Sequence, residues 1–160
     1  MIKAAIITLS DKGAAGQRQD TSADVIKEML GQAGIETHYY ELIPDEKDIL
    51  REQLLKYAML ADLVITTGGT GLGPRDITPE VTREILEKEI PGIPEAIRAH
   101  GLLKTKRAML SRAVAGTRGC CLIINLPGSP TAVREGLEAV LDVIPHAVEK
   151  AGGSGEDCAA

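Results

Sequence analysis

The chain has 160 residues, 44% hydrophobic and 26% charged, with a formal net charge of -5, which fits one soluble domain and disfavours disorder, a coiled coil or a disulfide scaffold. Aromatic residues make up only 2%, namely Tyr39, Tyr40 and Tyr57, with no Trp and no Phe, so little is available for a base-stacking platform. The acidic balance also argues against binding a nucleic-acid backbone.

Taken in chain order, the elements alternate. Residues 4–9 form an apolar run stopped by Ser10-Asp11-Lys12-Gly13 and predict a buried strand. That run is too short for a signal peptide or a membrane span, so no membrane association and a cytoplasmic setting are expected. Thr21, with Asp24 three residues on, resembles a helix start. Val25, Ile26, Met29, Leu30 and Ala33 recur at helical spacing, and Gly34 stops them. Residues 37–43 predict a strand ended by Pro44, and Asp45 is a candidate cap for the next helix. Ile49, Leu50, Leu54 and Tyr57 form its stripe.

Residues 63–67 predict a third strand. Thr78-Pro79-Glu80 then has the pattern of a helix start, with the helix running from Pro79 to about Ile90. A further helix covers residues 94–103, and residues 121–126 predict another buried strand. A last helix starts near Thr131, with Pro145 bending or ending it. The expectation is one domain over residues 1–151 and a flexible Gly-rich tail over 152–160. Cys120, Cys121 and Cys158 are an odd number without C-x-x-C spacing, which points to a reducing compartment. The adjacent pair is expected to lie in a strand as core residues, and Cys158 as an exposed thiol.

Strands separated by helices predict an α/β single-domain fold with a doubly wound, mostly parallel sheet and helices on both faces. In such sheets ligands bind beyond the carboxyl ends of the strands. The loops at residues 10–16, 44–46, 68–79 and 127–130 all follow strands, and are expected on one rim.

The loop after the third strand carries the strongest signal. Gly68, Gly69, Thr70, Gly71 and Gly73 let the backbone approach a ligand and turn N–H groups inward as an anion nest. The helix start at Pro79 adds partial positive charge. The loop lacks the Lys of a P-loop, and Pro74 breaks a dinucleotide fingerprint. Asp76 stands at the end of this phosphate cradle beside Pro74 and Arg75. A carboxylate there needs a cation between itself and the phosphate, and Mg²⁺ is typically held by one or two carboxylates plus substrate phosphates. Asp45 is a candidate second carboxylate. From Ala96 to Arg134 there is no Asp or Glu, while Arg98, Lys104, Lys106, Arg107, Arg112, Arg118 and Arg134 are basic. Such a stretch can focus an anionic small molecule. Ser111-Arg112 is the pair singled out for anion contact. His38, His100 and His146 read as structural or solvated.

Thr67-Gly68-Gly69-Thr70-Gly71 with Pro74-Arg75-Asp76-Ile77-Thr78-Pro79-Glu80 resembles the signature of the molybdenum cofactor biosynthesis domain. Ser10-Asp11-Lys12, Pro44-Asp45-Glu46, Pro91-Gly92-Ile93-Pro94-Glu95, Leu110-Ser111-Arg112-Ala113-Val114-Ala115-Gly116 and Asn125-Leu126-Pro127-Gly128-Ser129-Pro130 extend the likeness along nearly the whole chain. Within that family the chain is most similar to the molybdopterin adenylyltransferases of the Mog type.

The resemblance implies transfer of AMP from ATP to the terminal phosphate of molybdopterin, with pyrophosphate leaving and Mg²⁺ assisting. It assigns Asp45 and Asp76 to catalysis and to the metal. It assigns Gly68, Gly69, Thr70, Gly71, Pro74 and Arg75 to the nucleotide. Ser10, Asp11, Ser111, Arg112, Asn125, Gly128 and Ser129 fall to the pterin. It further implies a homotrimer and hand-over of the product to a molybdotransferase. Two positions depart from the family pattern, Ala23 and Gly101, the second standing where relatives carry a ligand-contacting Ser. Two alternatives stay open: a pterin-binding relative without turnover, and a nucleotide hydrolase resembling the competence-damage-inducible family.

Overall fold

The computed structural model describes residues 1–153. The tail from residue 154 on, with Cys158, lies outside the described residues. Six strands form one sheet in the order β2-β1-β3-β6-β5-β4. These are β1 (Lys3–Leu9), β2 (Glu36–Ile43), β3 (Leu63–Thr67), β4 (Lys88–Glu89), β5 (Ala115–Arg118) and β6 (Cys121–Leu126). β2, β1, β3 and β6 run parallel, whereas β5 and β4 pair antiparallel. The expected doubly wound, mostly parallel sheet is what the chain builds.

The helices are α1 (Asp11–Ala14), α2 (Thr21–Gln32), α3 (Lys47–Leu60), α4 (Thr78–Ile85), α5 (Gly92–Leu102), α6 (Pro130–Val140) and α7 (Ile144–Ala151). Alternation along the central strands makes two cores. Ala4, Ile6, Leu63, Ile65, Leu122 and Ile124 pack with Ile26 and Leu30 of α2, Ile97 of α5 and Leu137 of α6. Ala5, Ile7, Val64 and Ile123 pack on the other face with Leu50, Leu54, Val81 and Ile85. Aliphatic side chains fill both, and Tyr57 is the one aromatic among the buried hydrophobics.

The chain leaves β1 for β2 on one side and returns to β3 on the other. That switch point opens a crevice beyond the carboxyl ends of β1 and β3.

Several expectations are corrected. The loop after β1 begins with a helical turn, α1, capped by the Ser10 hydroxyl, which accepts from the Gly13 N–H at 3.0 Å. Asp20, not Thr21, caps α2, accepting from the Ala23 N–H at 3.1 Å. Asp45 caps nothing. Glu46 occupies the position before α3, without a side-chain cap bond.

α4 ends at Ile85 rather than near Ile90, because Lys88 and Glu89 pair with Thr117 and Gly116. A 3₁₀ segment over Lys106–Leu110 and strand β5 lie between α5 and β6. Pro145 sits in the first turn of α7, after a 3₁₀ break. Cys121 is buried and its thiol is pushed up to about 12, first by burial and then by the Asp62 charge. Cys120 is exposed in the turn before β6, not in the core.

Candidate functional site

Loops after β1, β2, β3 and β6 and the start of α2 enclose a cleft of about 450 Å³. The expectation that loops following strands share a rim is met. Ser10, Asp11, Asp45, Gly68, Gly69 and Asp76 all line this cleft, joined by Gly128 and Ser129.

The glycine turn has a defined construction. Gly68 and Gly69 have φ of 94° and 68°, a region that L side chains rarely adopt. A Cβ on Gly68 would strike the Leu9 carbonyl, and one on Gly69 the Thr78 hydroxyl. The Thr78 hydroxyl donates to the Gly68 carbonyl at 2.9 Å, and the Thr78 N–H donates to the Gly69 carbonyl at 3.1 Å.

Gly71 and Gly73 serve a different need. A Cβ on either would lie 2.9 Å from Asp76 Oδ2. The Gly73 N–H donates to that oxygen at 2.8 Å. These glycines therefore seat the Asp76 carboxylate rather than a ligand. Thr70 is buried, and its carbonyl accepts from the Arg112 N–H at 3.0 Å. Pro74 and Arg75 lie outside the cleft, over an adjoining hollow beside Asp45 and Glu46.

Charges across the cleft are arranged unevenly. Arg75 donates through Nε to Asp11 Oδ2 at 2.6 Å and through Nη2 to Glu46 Oε1 at 2.9 Å. Arg75 thereby holds the Asp11 carboxyl below its ordinary value, helped by a backbone bond from Asp45. Asp45 is shifted the opposite way: burial raises its carboxyl, and the charges of Asp11 and Asp76 add to the shift.

Arg112 and Asn125, both assigned to the pterin, also lie outside the cleft. Arg112 donates to the Gly71 carbonyl at 2.8 Å and the Asp76 carbonyl at 2.9 Å, and pairs with Glu80. Its guanidinium braces the glycine loop, so the expected anion contact is replaced by a structural one. Asn125 is fully buried. It donates to the hydroxyls of Thr66 at 2.9 Å and Thr82 at 3.0 Å, and accepts from the Val114 N–H at 3.2 Å. Such a knot leaves no group for a ligand.

Much of the basic stretch is likewise engaged. Arg98 donates to the carbonyls of Ser111 and Ala113, Arg118 to that of Ile85, and Arg134 pairs with Glu28.

Ser111 lines a second hollow of about 260 Å³ with Ile97, Ala108, Pro127 and Arg107. Ser129 lines both hollows and caps α6, accepting from the Ala132 N–H at 3.2 Å. Gly101 also lies here. A Cβ on it would sit 2.8 Å from Ala108 Cβ, so glycine admits the 3₁₀ segment and a Ser would displace it. Ala23 is buried in the first core.

Sequence reading missed Thr8, Lys12, Arg18 and Asp20 as cleft residues. The signal for Lys12 and Arg18 was their place in a loop that follows a strand.

Among the described residues no group of three or more His, Cys, Asp or Glu is placed to hold a metal. Asp45 and Asp76 both line the cleft, and would take Mg²⁺ in the usual way, as two carboxylates completed with substrate phosphate oxygens and water. Burial raises Asp45 first, and the smaller repulsion from Asp11 and Asp76 that adds to it is what a cation would relieve.

The family described as "Probable molybdopterin binding domain" matches residues 5–150, and the chain belongs to it. The structure superposes on the molybdopterin biosynthesis enzyme MoaB of Thermus thermophilus with a TM-score of 0.91 at 52% identity, covering 96% of this chain and 98% of that one. The molybdopterin adenylyltransferase of Helicobacter pylori is 42% identical over 148 residues, covering 90% of this chain and 84% of that protein. The molybdenum cofactor synthesis protein cinnamon of Drosophila melanogaster is 39% identical over 150 residues, and the match spans 92% of this chain but 25% of the fly protein.

Proposed function

We propose that the protein acts in molybdenum cofactor biosynthesis as a molybdopterin adenylyltransferase, moving AMP from ATP to the terminal phosphate of molybdopterin. The observation that carries this reading is the meeting, in one cleft, of the Gly68–Gly69 turn with the carboxylates of Asp45 and Asp76. The relatives named as molybdopterin adenylyltransferases support it.

A phosphate oxygen of the pterin attacks the α-phosphorus of ATP. The new P–O bond forms as the α–β bridging bond breaks, and pyrophosphate leaves with the electron pair. The Gly68–Gly69 turn supplies the close backbone approach for phosphate oxygens. Asp45 and Asp76 would hold Mg²⁺, which when bound neutralises charge developing on the phosphates. Ser10 and Asp11 keep the facing wall in place. The second hollow, with its apolar Ile97, Ala108 and Pro127 and its polar Ser111 and Ser129, suits a flat heterocycle such as the pterin.

The same reading includes a cytoplasmic homotrimer that passes its product to a molybdotransferase. Exposed Leu102, Leu103, Met109 and Leu110 beside the second hollow support a subunit contact. The unpaired Cys120 and Cys121 support a reducing compartment. No helix among the described residues is long and apolar enough to cross a membrane.

Pyrophosphate release from Mg·ATP, with and without molybdopterin, tests the reading. Release that requires both the pterin and Asp76, and is lost in Asp76→Asn, is expected. Pterin binding without release would leave a binding protein.

A further inference from the structure

The two arginines that sequence reading aimed at anions, Arg75 and Arg112, are engaged within the protein. The phosphate cleft nevertheless holds two other cations. Lys12 stands in α1 and Arg18 in the loop that leads to α2, and both line the cleft. Among the described residues neither side chain has a hydrogen-bond or ion-pair partner, and both are exposed.

The segment that carries them is ordered by its own bonds. The Gln17 N–H donates to the Lys12 carbonyl at 2.9 Å and the Gly16 N–H to the Gly13 carbonyl at 2.9 Å. Gly16, at φ 72°, turns the chain, and the Asp20 cap delivers it into α2. The neighbouring acids do not neutralise the two cations. The Asp11 carboxylate is met by Arg75, and that of Asp20 accepts from the Tyr40 hydroxyl at 2.7 Å. Asp45 and Asp76 are the remaining carboxylates of the cleft.

We propose that Lys12 and Arg18 form the cationic arm of the cleft and bind the triphosphate of the nucleotide. This deepens the adenylyltransferase reading and rests on it. The guanidinium of Arg18 offers a two-pronged donor to phosphate oxygens, and the ammonium of Lys12 a mobile point charge. A pair left unengaged keeps all of its donors for an incoming anion. Because both side chains are exposed and unpaired, their removal costs the fold little.

The test is calorimetric titration of the full chain with Mg·ATP, adenosine and molybdopterin, at low and high salt. The variants are Lys12→Ala, Arg18→Ala, the double variant, and the charge-keeping pair Lys12→Arg and Arg18→Lys. The double variant is expected to weaken Mg·ATP binding about tenfold at low salt, with a smaller loss at high salt. Adenosine affinity, pterin affinity and melting temperature should stay unchanged, and the charge-keeping pair should retain most of the ATP affinity. A native chain that binds ATP, beside a double variant that binds it equally well, overturns the inference and leaves the reading standing. Loss of pterin affinity with ATP affinity intact assigns the arm to the pterin phosphate and also overturns it. A native chain that does not bind ATP sinks the reading and the inference together.

Discussion

Asp11 and Asp45 hold each other by a reciprocal pair of hydrogen bonds. The Asp11 N–H donates to Asp45 Oδ2 at 3.1 Å, and the Asp45 N–H donates to Asp11 Oδ1 at 3.0 Å. The loops after β1 and β2 are thereby joined across 34 positions of sequence. The two carboxylates nonetheless live in opposite environments, one beside a guanidinium and the other part-buried among like charges.

This asymmetry predicts opposite pH responses. Burial raises the Asp45 carboxyl above its ordinary 3.8. Its contribution to stability is present below the unfolded-state value and is lost as pH rises through the folded-state value. Asp45→Asn should gain stability relative to the native chain as pH rises from below 3.8 towards neutral. Arg75 lowers Asp11, whose contribution is present above 3.8 and is lost as pH falls through its folded-state value. Asp11→Asn should therefore lose relative stability over the same interval. Denaturant unfolding of both variants across that range checks the pair of signs.

Arg112→Lys separates bracing from ligand contact. One ammonium cannot reach the Gly71 and Asp76 carbonyls and Glu80 together. A loss of about 2 kcal/mol is expected by thermal unfolding. Nucleotide affinity should fall more than pterin affinity, because the loop that carries Asp76 is loosened. The reverse order would return Arg112 to the pterin phosphate.

Asn125→Leu keeps the branching of the side chain, in a larger volume, and removes the amide's bonds to Val114, Thr66 and Thr82. The Val114 N–H loses its acceptor, and the Thr66 and Thr82 hydroxyls lose the amide that binds both. About 3 kcal/mol of destabilisation is expected from denaturant titration. A near-neutral result would mean that the threonines find other partners.

Thr8 is 6% exposed and its Oγ1 has no partner among the described residues. Thr8→Val exchanges that hydroxyl for a methyl of similar shape. Stability should rise by about 1 kcal/mol, read as a higher melting temperature. A drop would reveal a bond to ordered water.

The central strands were legible because each is a continuous apolar run with an abrupt polar end, as in Leu63-Val64-Ile65-Thr66-Thr67. β5 was not. Ala115-Gly116-Thr117-Arg118 has no alternation, and its extended form comes from pairing with β6 and with Lys88–Glu89. Asp45 and Asp76 could be placed on one rim because parallel strands send their following loops the same way. The fates of Arg75 and Arg112 could not be read, since their acidic partners Asp11 and Glu80 lie 64 and 32 positions away. Gly71 and Gly73 were read as making room for a ligand, whereas the group they admit is the Asp76 carboxylate.

Ser129 stands where the two hollows meet, and this has a kinetic consequence. On the proposed reaction the substrates arrive separately, each held by one hollow, whereas the product is one molecule seated in both. While one end lets go, the other keeps it at high effective concentration beside its vacated seat. The joined product therefore leaves more slowly than either substrate alone. A second protein that draws out one end at a time would empty the enzyme faster than dilution.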